Sequence, residues 1–404
     1  MLEALRADAF GVPLRDGARA ACSVTVSQDL ASLREAWTAL EARAGGNVFQ
    51  SYAWCRTWDE AARRAGCDAV ARVVTVRESG RLVLLWPLAI RRLGPLRILR
   101  SFGEPATQYA DALVAPGGES GLWLAAAWQA VREMRDVDAV FLRGVRGDAV
   151  IAPLLASRSR FVTRTAEAPF CDFRNAQARR RSGRTRNTLQ RNLRNLAEAG
   201  PVRFEVAAGA EERAEAMTEA VRLKQAWLRR TGRFSAGYAH PANAAFLRGL
   251  ADCPNALVLR LRVGDTTAAV EAGLIHAGAY ASLVQAYDAR YAAQGPGRLL
   301  FRHMVENAAG LGIDQLDFLA PACRHKSEWA TGAMPVRDYA LPLRLRGWIL
   351  LGYVRHLRPW AKACRERLGA ALTGWGIRPS EREAGRGQTE RAGPTEAGPD
   401  ENVR

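Results

Sequence analysis

A glycine-rich segment, "QGPGRLLF" at 294–301, separates an apolar stretch from a helical pattern. The first N–H groups of a helix have no intrahelical acceptor, and the helix dipole favours an anion beside them. Gly295 and Gly297 would let a phosphate approach the backbone closely, with Gln294 before them and Arg298 adding positive charge. The segment predicts a phosphate-binding loop. A plain strand-to-helix turn is the alternative that the loop alone leaves open.

Two carboxylates precede this loop. Glu271 interrupts a run of mainly small and apolar residues, "TTAAVEAGLIHAG" at 266–278. A carboxylate in such surroundings either forms a structural salt bridge or lines a pocket, where loss of solvation raises its pKa towards neutrality. Asp288 and the neighbouring Tyr287 stand closer to the loop. We therefore predict Glu271 or Asp288 as a general base, and Tyr287 as a proton donor.

Lysine is scarce here because the chain carries most of its positive charge as arginine, which draws attention to two lysines. Lys326 follows a predicted strand in "DFLAPACRHKSEWA", where Asp317 marks the strand end or pairs with the lysine. It is predicted to stabilise a phosphate or a developing oxyanion; a surface lysine is the alternative. Lys224 lies three residues before Trp227 on a long predicted helix, and is a candidate for holding an acceptor.

A strongly basic helix is predicted at 183–199, with Leu189, Leu193 and Leu196 along one apolar stripe. Arginines crowd its first half and the residues before it: Arg179, Arg180, Arg181, Arg184, Arg186, Arg191 and Arg194. They predict a phosphate-binding surface, with Arg184 as a substrate-binding candidate; an ordinary solvated face is the alternative. No aromatic residues alternate with these arginines, which argues against base recognition in nucleic acids.

Helical and strand patterns alternate along the chain, which is typical of an α/β fold. One hairpin is predicted around Glu78-Ser79-Gly80. The predicted organisation is a flexible N-terminus (1–20), two α/β units (21–168 and 169–343), a basic amphipathic helical segment (344–377) and a disordered tail (378–404). The tail is rich in Gly, Pro, Glu and Arg and has almost no large apolar residues.

Composition narrows the class of protein. The net charge of the 404 residues is +17, which favours anionic partners. Seven cysteines without C-x-x-C spacing argue against a zinc site and a disulfide framework, and indicate a reducing compartment. The first residues contain no apolar signal-peptide segment, and no run approaches the ~20 apolar residues of a membrane helix. We expect a cytoplasmic protein. Segment 344–377 is a candidate for lying on the anionic surface of the inner membrane, and packing on the protein's own domain is the alternative.

The order of these elements resembles a known family. Strand, glycine loop, helix and following strand look like the acyl-CoA site of GNAT-type acyltransferases. The chain further resembles the GNAT-like bacterial proteins associated with cellulose and exopolysaccharide synthesis, which share their fold with Fem-type aminoacyltransferases. The matching segments are "VFQSYAWCRTW", "RTRNTLQRNLRNLAEAGPVRFEV", "LKQAWLRRTG", "PGRLLFRHMVENAAGLGIDQLDFL" and "HKSEW".

This resemblance implies tandem GNAT-like (acyl-CoA N-acyltransferase) domains with mixed sheets. It also implies direct transfer of an acyl group, most simply acetyl, from acyl-CoA to an amine or hydroxyl of a polysaccharide or glycolipid precursor, without a metal. The predicted roles are catalytic for Glu271, Asp288 and Lys326, donor-binding for Gln294, Gly295, Gly297 and Arg298, and substrate-binding for Lys224, Tyr287, Arg184 and Asp317.

One departure from the family pattern leaves alternatives open. GNAT loops typically carry Arg or Gln three residues before the first glycine, where this chain has Ala292. Aminoacyl-tRNA therefore remains an alternative donor, held through phosphate contacts alone. A non-catalytic accessory protein of a glycan-synthesis complex is a further alternative. No coiled-coil arm typical of Fem relatives is evident, which favours acyl-CoA.

Overall fold

The strands of the computed structural model form one mixed sheet. The structure describes residues 22–44, 46–67, 69–117, 119–175 and 183–357, apart from the side chain of His325. The strands are β1 (Cys22–Ser27), β2 (Val70–Glu78), β3 (Arg81–Leu93), β4 (Leu96–Ser101), β5 (Leu113–Val114), β6 (Ala139–Arg146), β7 (Val162–Asp172), β8 (Val202–Val206), β9 (Ala256–Val263), β10 (Thr266–His276), β11 (Ala279–Tyr287), β12 (Gln315–Asp317) and β13 (Gly332–Pro342). Within these ranges the order is β1-β2-β3-β4-β6-β13-β7-β12-β11-β10-β9-β8, with β5 beside β3.

Helices cover this sheet. They are α1 (Arg34–Ala44), α2 (Tyr52–Arg64), α3 (Ser120–Glu133), α4 (Ala152–Ala156), α5 (Gly183–Ala197), α6 (Ala210–Thr231), α7 (Ala236–Ala239), α8 (Asn243–Gly249), α9 (Pro296–Glu306), α10 (Arg324–Ser327) and α11 (Gly347–Gly352). The predicted mixed α/β architecture is thereby confirmed. The described residues from Cys22 to Val354 form one compact unit. The predicted N-terminus (1–20), most of segment 344–377 and the tail (378–404) lie outside the described residues.

Local sequence signals account for several elements. The predicted hairpin is β2–β3, and both turn residues have positive φ: Ser79 at 49° and Gly80 at 79°. Two consecutive positive φ values fit a type I′ turn, whose twist matches that of the paired strands. Trp54 and Trp58, one helical turn apart on α2, are both buried, as their spacing predicts.

The chain's last strand returns to its first half. Strand β13 is inserted between β6 and β7 and pairs antiparallel with both. Strand β7 runs across the predicted boundary at 168–169. The sheet is therefore continuous across the two units predicted from the sequence, and their division into tandem GNAT-like domains stays a prediction.

Three helices enclose the strands β9 to β11 from opposite sides. Helix α6 contributes Met217, Ala220 and other residues to one hydrophobic cluster. Helices α5 and α9 contribute Leu189 and Leu299, among others, to a second cluster on the other face. The apolar stripe predicted for α5 is thus its buried side.

Strands β11 and β12 separate halfway along β11. Their parallel pairing ends at Ala281 and Asp317, although β11 continues to Tyr287. A bulge in β11 near Ser282 interrupts its pairing with β10 at the same level. Beyond β12 the chain turns away through Leu319, whose φ is 60°. This separation leaves a gap in the sheet, beside which the candidate site lies.

Candidate active site

Two cavities meet where β11 leaves β12. The glycine-loop cavity has a volume of about 430 Å³ and is lined by residues of α6, β10, β11 and the start of α9. The central cavity, of about 460 Å³, lies between residues of the N-terminal half and α6, α7 and α8. Lys224, Gln285 and Phe318 line both cavities. A group bound in one cavity is therefore brought next to a group bound in the other.

Glu271 is a buried carboxylate in the wall of the glycine-loop cavity. It lies opposite Gln285 in the β10–β11 pairing. Its Oε1 accepts hydrogen bonds from Ser282 Oγ at 2.6 Å and from Tyr280 Oη at 3.2 Å. Burial raises the pKa of Glu271 to about 7, although hydrogen bonds and the charge of Lys224 oppose the rise. The sequence prediction of a buried carboxylate facing a pocket agrees with this placement.

Lys224 stands at the junction of the two cavities. Its Nζ donates to the carbonyl of Gln285 at 3.1 Å and lies 4.8 Å from the centre of the Trp227 ring. Burial lowers the pKa of Lys224, and the charges of Lys326 and Arg233 act in the same direction, while Glu271 opposes them. This lysine and Glu271 bring opposite charges to the same cavity wall.

The glycine loop begins α9 as predicted. Gly295 has φ of 58° and Pro296 is the first helical residue, so one N–H is missing. The N–H of Arg298 already donates to the Gly295 carbonyl at 3.0 Å. Gly297 is exposed, and a Cβ there would meet nothing within 4 Å. The loop therefore offers an anion the helix dipole and the accessible N–H of Gly297.

Two other predicted donor-binding residues flank this loop. The side chain of Arg298 is half exposed and has Glu328 at 3.4 Å. Gln294 does not line either cavity, and its buried Oε1 has no hydrogen-bond partner in the described part of the chain. Of this pair, only Arg298 faces the glycine-loop cavity.

Tyr287 and Asp288 separate in the structure, although they are adjacent in sequence. Tyr287 lines the glycine-loop cavity. Asp288 lines neither cavity, and its side chain accepts from the N–H of Arg290 at 2.9 Å and forms an ion pair with its guanidinium at 2.8 Å. The hydrogen bond from Arg290 holds the pKa of Asp288 below its usual range. Of the two predicted bases, the geometry favours Glu271.

Asp317 and Lys326 act on the loop that follows β12. Asp317 accepts hydrogen bonds from Tyr109 Oη at 2.8 Å, Arg146 Nη1 at 2.7 Å and the N–H of Leu319 at 2.7 Å. These bonds hold the end of β12, in agreement with one of the three roles predicted for Asp317.

Lys326 donates to two backbone carbonyls of this loop, Leu319 at 2.8 Å and Pro321 at 3.1 Å. It also lines the central cavity, and burial lowers its pKa. Its ammonium group therefore stabilises the conformation of the cavity wall and also contributes a positive charge to it.

The arginines of α5 lie away from both cavities. Arg184, Arg191 and Arg194 fall on one face of α5, opposite the buried Leu189 and Leu196, and are exposed. No ion pair joins these three to another described residue. Arg179, Arg180 and Arg181 lie outside the described residues.

The sequence reasoning did not identify several residues of the central cavity. Arg143 reaches it from β6, Tyr238 from α7 and Asn243 from α8. The hydroxyl of Tyr238 and Nδ2 of Asn243 are buried and have no hydrogen-bond partner among the described residues. No local pattern marks these three positions, since they converge only in the folded chain.

Comparison with known proteins identifies one segment of the chain. Residues 183–327 match the family model of the acetyltransferase (GNAT) domain. This segment is therefore similar to a GNAT-type acetyltransferase domain. The matched segment includes Lys224, Glu271, the glycine loop and Lys326, so the two cavities belong to the GNAT domain and its surroundings. The predicted enzyme class is thereby confirmed.

Similarity to solved structures extends beyond this segment. The crystal structure of FemX is similar with a TM-score of 0.57 and 10% identity, over 81% of this chain and 99% of that one. L-PGS from Bacillus licheniformis has a TM-score of 0.49 and 14% identity, over 80% of this chain and 95% of that one. A tandem GNAT protein from the clavulanic acid biosynthesis pathway has a TM-score of 0.42 and 15% identity, over 80% and 98% of the two chains. No curated protein matches the sequence significantly.

Proposed function

We propose that this protein transfers an acyl group, most simply acetyl, from a CoA thioester directly to an amine or hydroxyl acceptor. The donor occupies the glycine-loop cavity, with its phosphates towards Gly297 and Arg298, and the acceptor occupies the central cavity. The observation that carries this proposal is the junction of the two cavities at Lys224, beside the buried carboxylate of Glu271.

Glu271 serves as the general base in this mechanism. The acceptor nitrogen or oxygen attacks the thioester carbonyl carbon and passes its proton to the Glu271 carboxylate. The ammonium of Lys224 stabilises the negative charge that develops on the carbonyl oxygen. When the C–S bond breaks, the thiolate takes a proton from the hydroxyl of Tyr287, which lines the same cavity. Tyr287 regains a proton from solvent and Glu271 releases its own, so that both return to their starting states. The pKa of about 7 suits Glu271 to the role of general base, because much of this carboxyl group is ionised at neutral pH.

Direct transfer fits the cavity walls. No cysteine is among the described residues that line the two cavities, so the walls provide no thiol for a covalent acyl-enzyme. The acceptor reaches the thioester without an intermediate carrier, because the cavities share a wall. No three His, Cys, Asp or Glu side chains in the described ranges are arranged to hold a metal ion.

Titration and transfer assays test the proposal. Purified full-length protein is titrated with acetyl-CoA, then incubated with radiolabelled acetyl-CoA and a small-molecule cell extract. We expect saturable binding and label transfer, both reduced in the Arg298→Gln variant and unchanged in Arg302→Gln, which alters an arginine one turn further along α9. If no CoA thioester binds saturably, the proposal that a CoA thioester is the acyl donor is refuted.

The exposed arginines of α5 favour a second candidate donor, aminoacyl-tRNA. Arg184, Arg191 and Arg194 form a positive stripe suited to a phosphate backbone. If tRNA is bound, it copurifies at low salt and is lost at high salt, and the triple Arg→Gln variant retains less of it. Binding of tRNA without binding of CoA thioesters would favour this donor.

For the acceptor we propose a polysaccharide or glycolipid precursor presented near a membrane surface. No helix in the described ranges is long and apolar enough to cross a membrane. Leu345, Trp348, Ile349 and Tyr353 are exposed around α11. Their apolar side chains suit insertion at a lipid interface. Sedimentation of the protein with anionic vesicles would support membrane association if the Trp348→Ser and Ile349→Ser double variant no longer sediments. Equal amounts of pelleted protein with and without vesicles would refute it.

A further inference from the structure

The charged side chains of the central cavity are all cationic. Among the described residues that line it are Arg143, Lys224 and Lys326, and no aspartate or glutamate. A separate cavity of about 260 Å³ has a different character, since Asp111, Asp148 and Asp317 line it together with Arg146. The positive charge of the central cavity is thus a property of this cavity and not only of a basic chain.

Nearby carboxylates only partly balance these cations. Glu104 lies 3.7 Å from Arg143 but also 3.4 Å from Arg100, so two arginines share one buried carboxylate. Glu271 attracts the charge of Lys224, and the acyl-transfer mechanism already uses this carboxylate as a base. Removing an unbalanced cation from water is costly, and a bound anion offsets that cost. Arg143 is therefore the cation best placed to meet a ligand.

Unsatisfied polar atoms line the same cavity. Asn243 is only 5% exposed, and its buried Nδ2 has no hydrogen-bond partner in the described chain. The buried hydroxyl of Tyr238 is likewise without one. Nε of Arg143 also has none, but neither do the carboxylate oxygens of its neighbour Glu104, so this atom is not counted as a donor for a ligand. Leaving a buried donor without an acceptor is costly, so Asn243 and Tyr238 indicate a ligand with acceptor oxygens.

We propose that the central cavity recognises an anionic group on the acceptor, a carboxylate or a phosphate, through Arg143, Asn243 and Tyr238. This inference rests on the proposed function in one respect: it takes the central cavity as the binding site of the acceptor. The anionic group binds towards Arg143, from the N-terminal half, while the nucleophile points towards Lys224 and Glu271. Arg143 then selects substrates, and the N-terminal half contributes directly to specificity.

A donor-free binding experiment tests this inference separately from acyl transfer. The thermal unfolding of the full chain is followed with O-phosphoethanolamine, 4-aminobutyrate or ethanolamine at equal ionic strength. The first two probes carry an amine with a phosphate or a carboxylate, and the third has no anionic group. We expect one or both anionic probes to raise Tm with saturation, because a ligand of the folded state stabilises it, and ethanolamine to leave Tm unchanged. The stronger anionic probe identifies the group.

Variants locate the effect. Arg143→Gln is expected to abolish the Tm increase, and Tyr238→Phe, which removes only a hydroxyl, to raise the concentration needed for half the effect severalfold. Arg97→Gln, an exposed arginine on the neighbouring strand β4, is the matched control and should behave like the native chain. The Tm without probe shows whether each variant folds. Equal responses to anionic and neutral amines, or an unchanged response in both Arg143→Gln and Tyr238→Phe, would overturn the inference, whether or not CoA thioesters bind.

Discussion

Replacing Glu271 by glutamine gives the sharpest test of the mechanism. Glutamine keeps the size of the side chain and can still accept from Ser282 and Tyr280, but it cannot take a proton from the acceptor. Loss of a general base lowers the rate about 100- to 10,000-fold. We expect kcat to fall within this range, with little change in the affinity for acetyl-CoA, because the donor's phosphates are held at the glycine loop.

The pH dependence of the rate makes this prediction specific. Because burial raises the pKa of Glu271 to about 7, the native rate should increase as the pH rises through neutrality and the carboxylate loses its proton. The Glu271→Gln variant should lack this inflection. Initial rates of thiol release, followed with a chromogenic thiol reagent from about pH 5.5 to pH 8.5, provide both measurements.

The contribution of Glu271 to the stability of the folded protein should fall as the pH rises, while the reaction rate increases. The pKa of Glu271 rises from 4.5 to about 7 on folding, so its ionised form destabilises the folded protein by about 3 kcal/mol. This cost is fully present above pH 7 and disappears as the pH falls from about 7 to about 4.5. The glutamine variant should therefore gain stability relative to the native chain at about pH 8 but not at about pH 4.5, as measured by urea unfolding.

Asp288→Asn is the control, because that carboxylate is paired with Arg290 and lies outside both cavities. Its rate should stay within about threefold of the native value. The reasoning would be refuted if Glu271→Gln kept the native pH profile, or if Asp288→Asn lost the inflection instead.

Three further predictions concern the surrounding residues. Lys224→Met should lower kcat about 10- to 1000-fold, since it removes the charge nearest the developing oxyanion; a native kcat would exclude that role. Lys326→Met should reduce the free energy of unfolding by about 1–3 kcal/mol, because two backbone carbonyls lose their donor, and unchanged denaturant unfolding would contradict this. Gly295→Ala should cost about 1 kcal/mol, since φ is 58° there. Gly297→Ala, inside α9 with open space at its Cβ, should not lower stability but should weaken acetyl-CoA binding in calorimetric titration; equal stability of the two variants would argue against the assigned loop geometry.

Features with a local cause were predictable from the sequence. Ser79-Gly80 marks a turn because few residues tolerate positive φ, and the spacing of Trp54 and Trp58 places both on one helical face. The glycine loop before α9 was predictable for the same reason, as was the burial of Glu271 within a run of apolar residues. Each of these signals spans only a few residues of chain.

The function of several polar residues depended on distant partners. Asp317 and Tyr109 bond although 208 residues separate them, and the insertion of β13 between β6 and β7 has no signal in its own residues. Likewise, the sequence did not distinguish Asp288 from Glu271 as a base. The fold places Asp288 beside Arg290 and Glu271 in a cavity wall.

The sequence by itself determined the elements of the GNAT domain, because dihedral preferences and hydrophobic periodicity act over one or two turns of chain. Only the tertiary structure decided that Arg143, Tyr238 and Asn243 share a cavity with Lys224 and Lys326. That assembly depends on how strands and helices from both halves pack together, and residue spacing along the chain does not encode such distances.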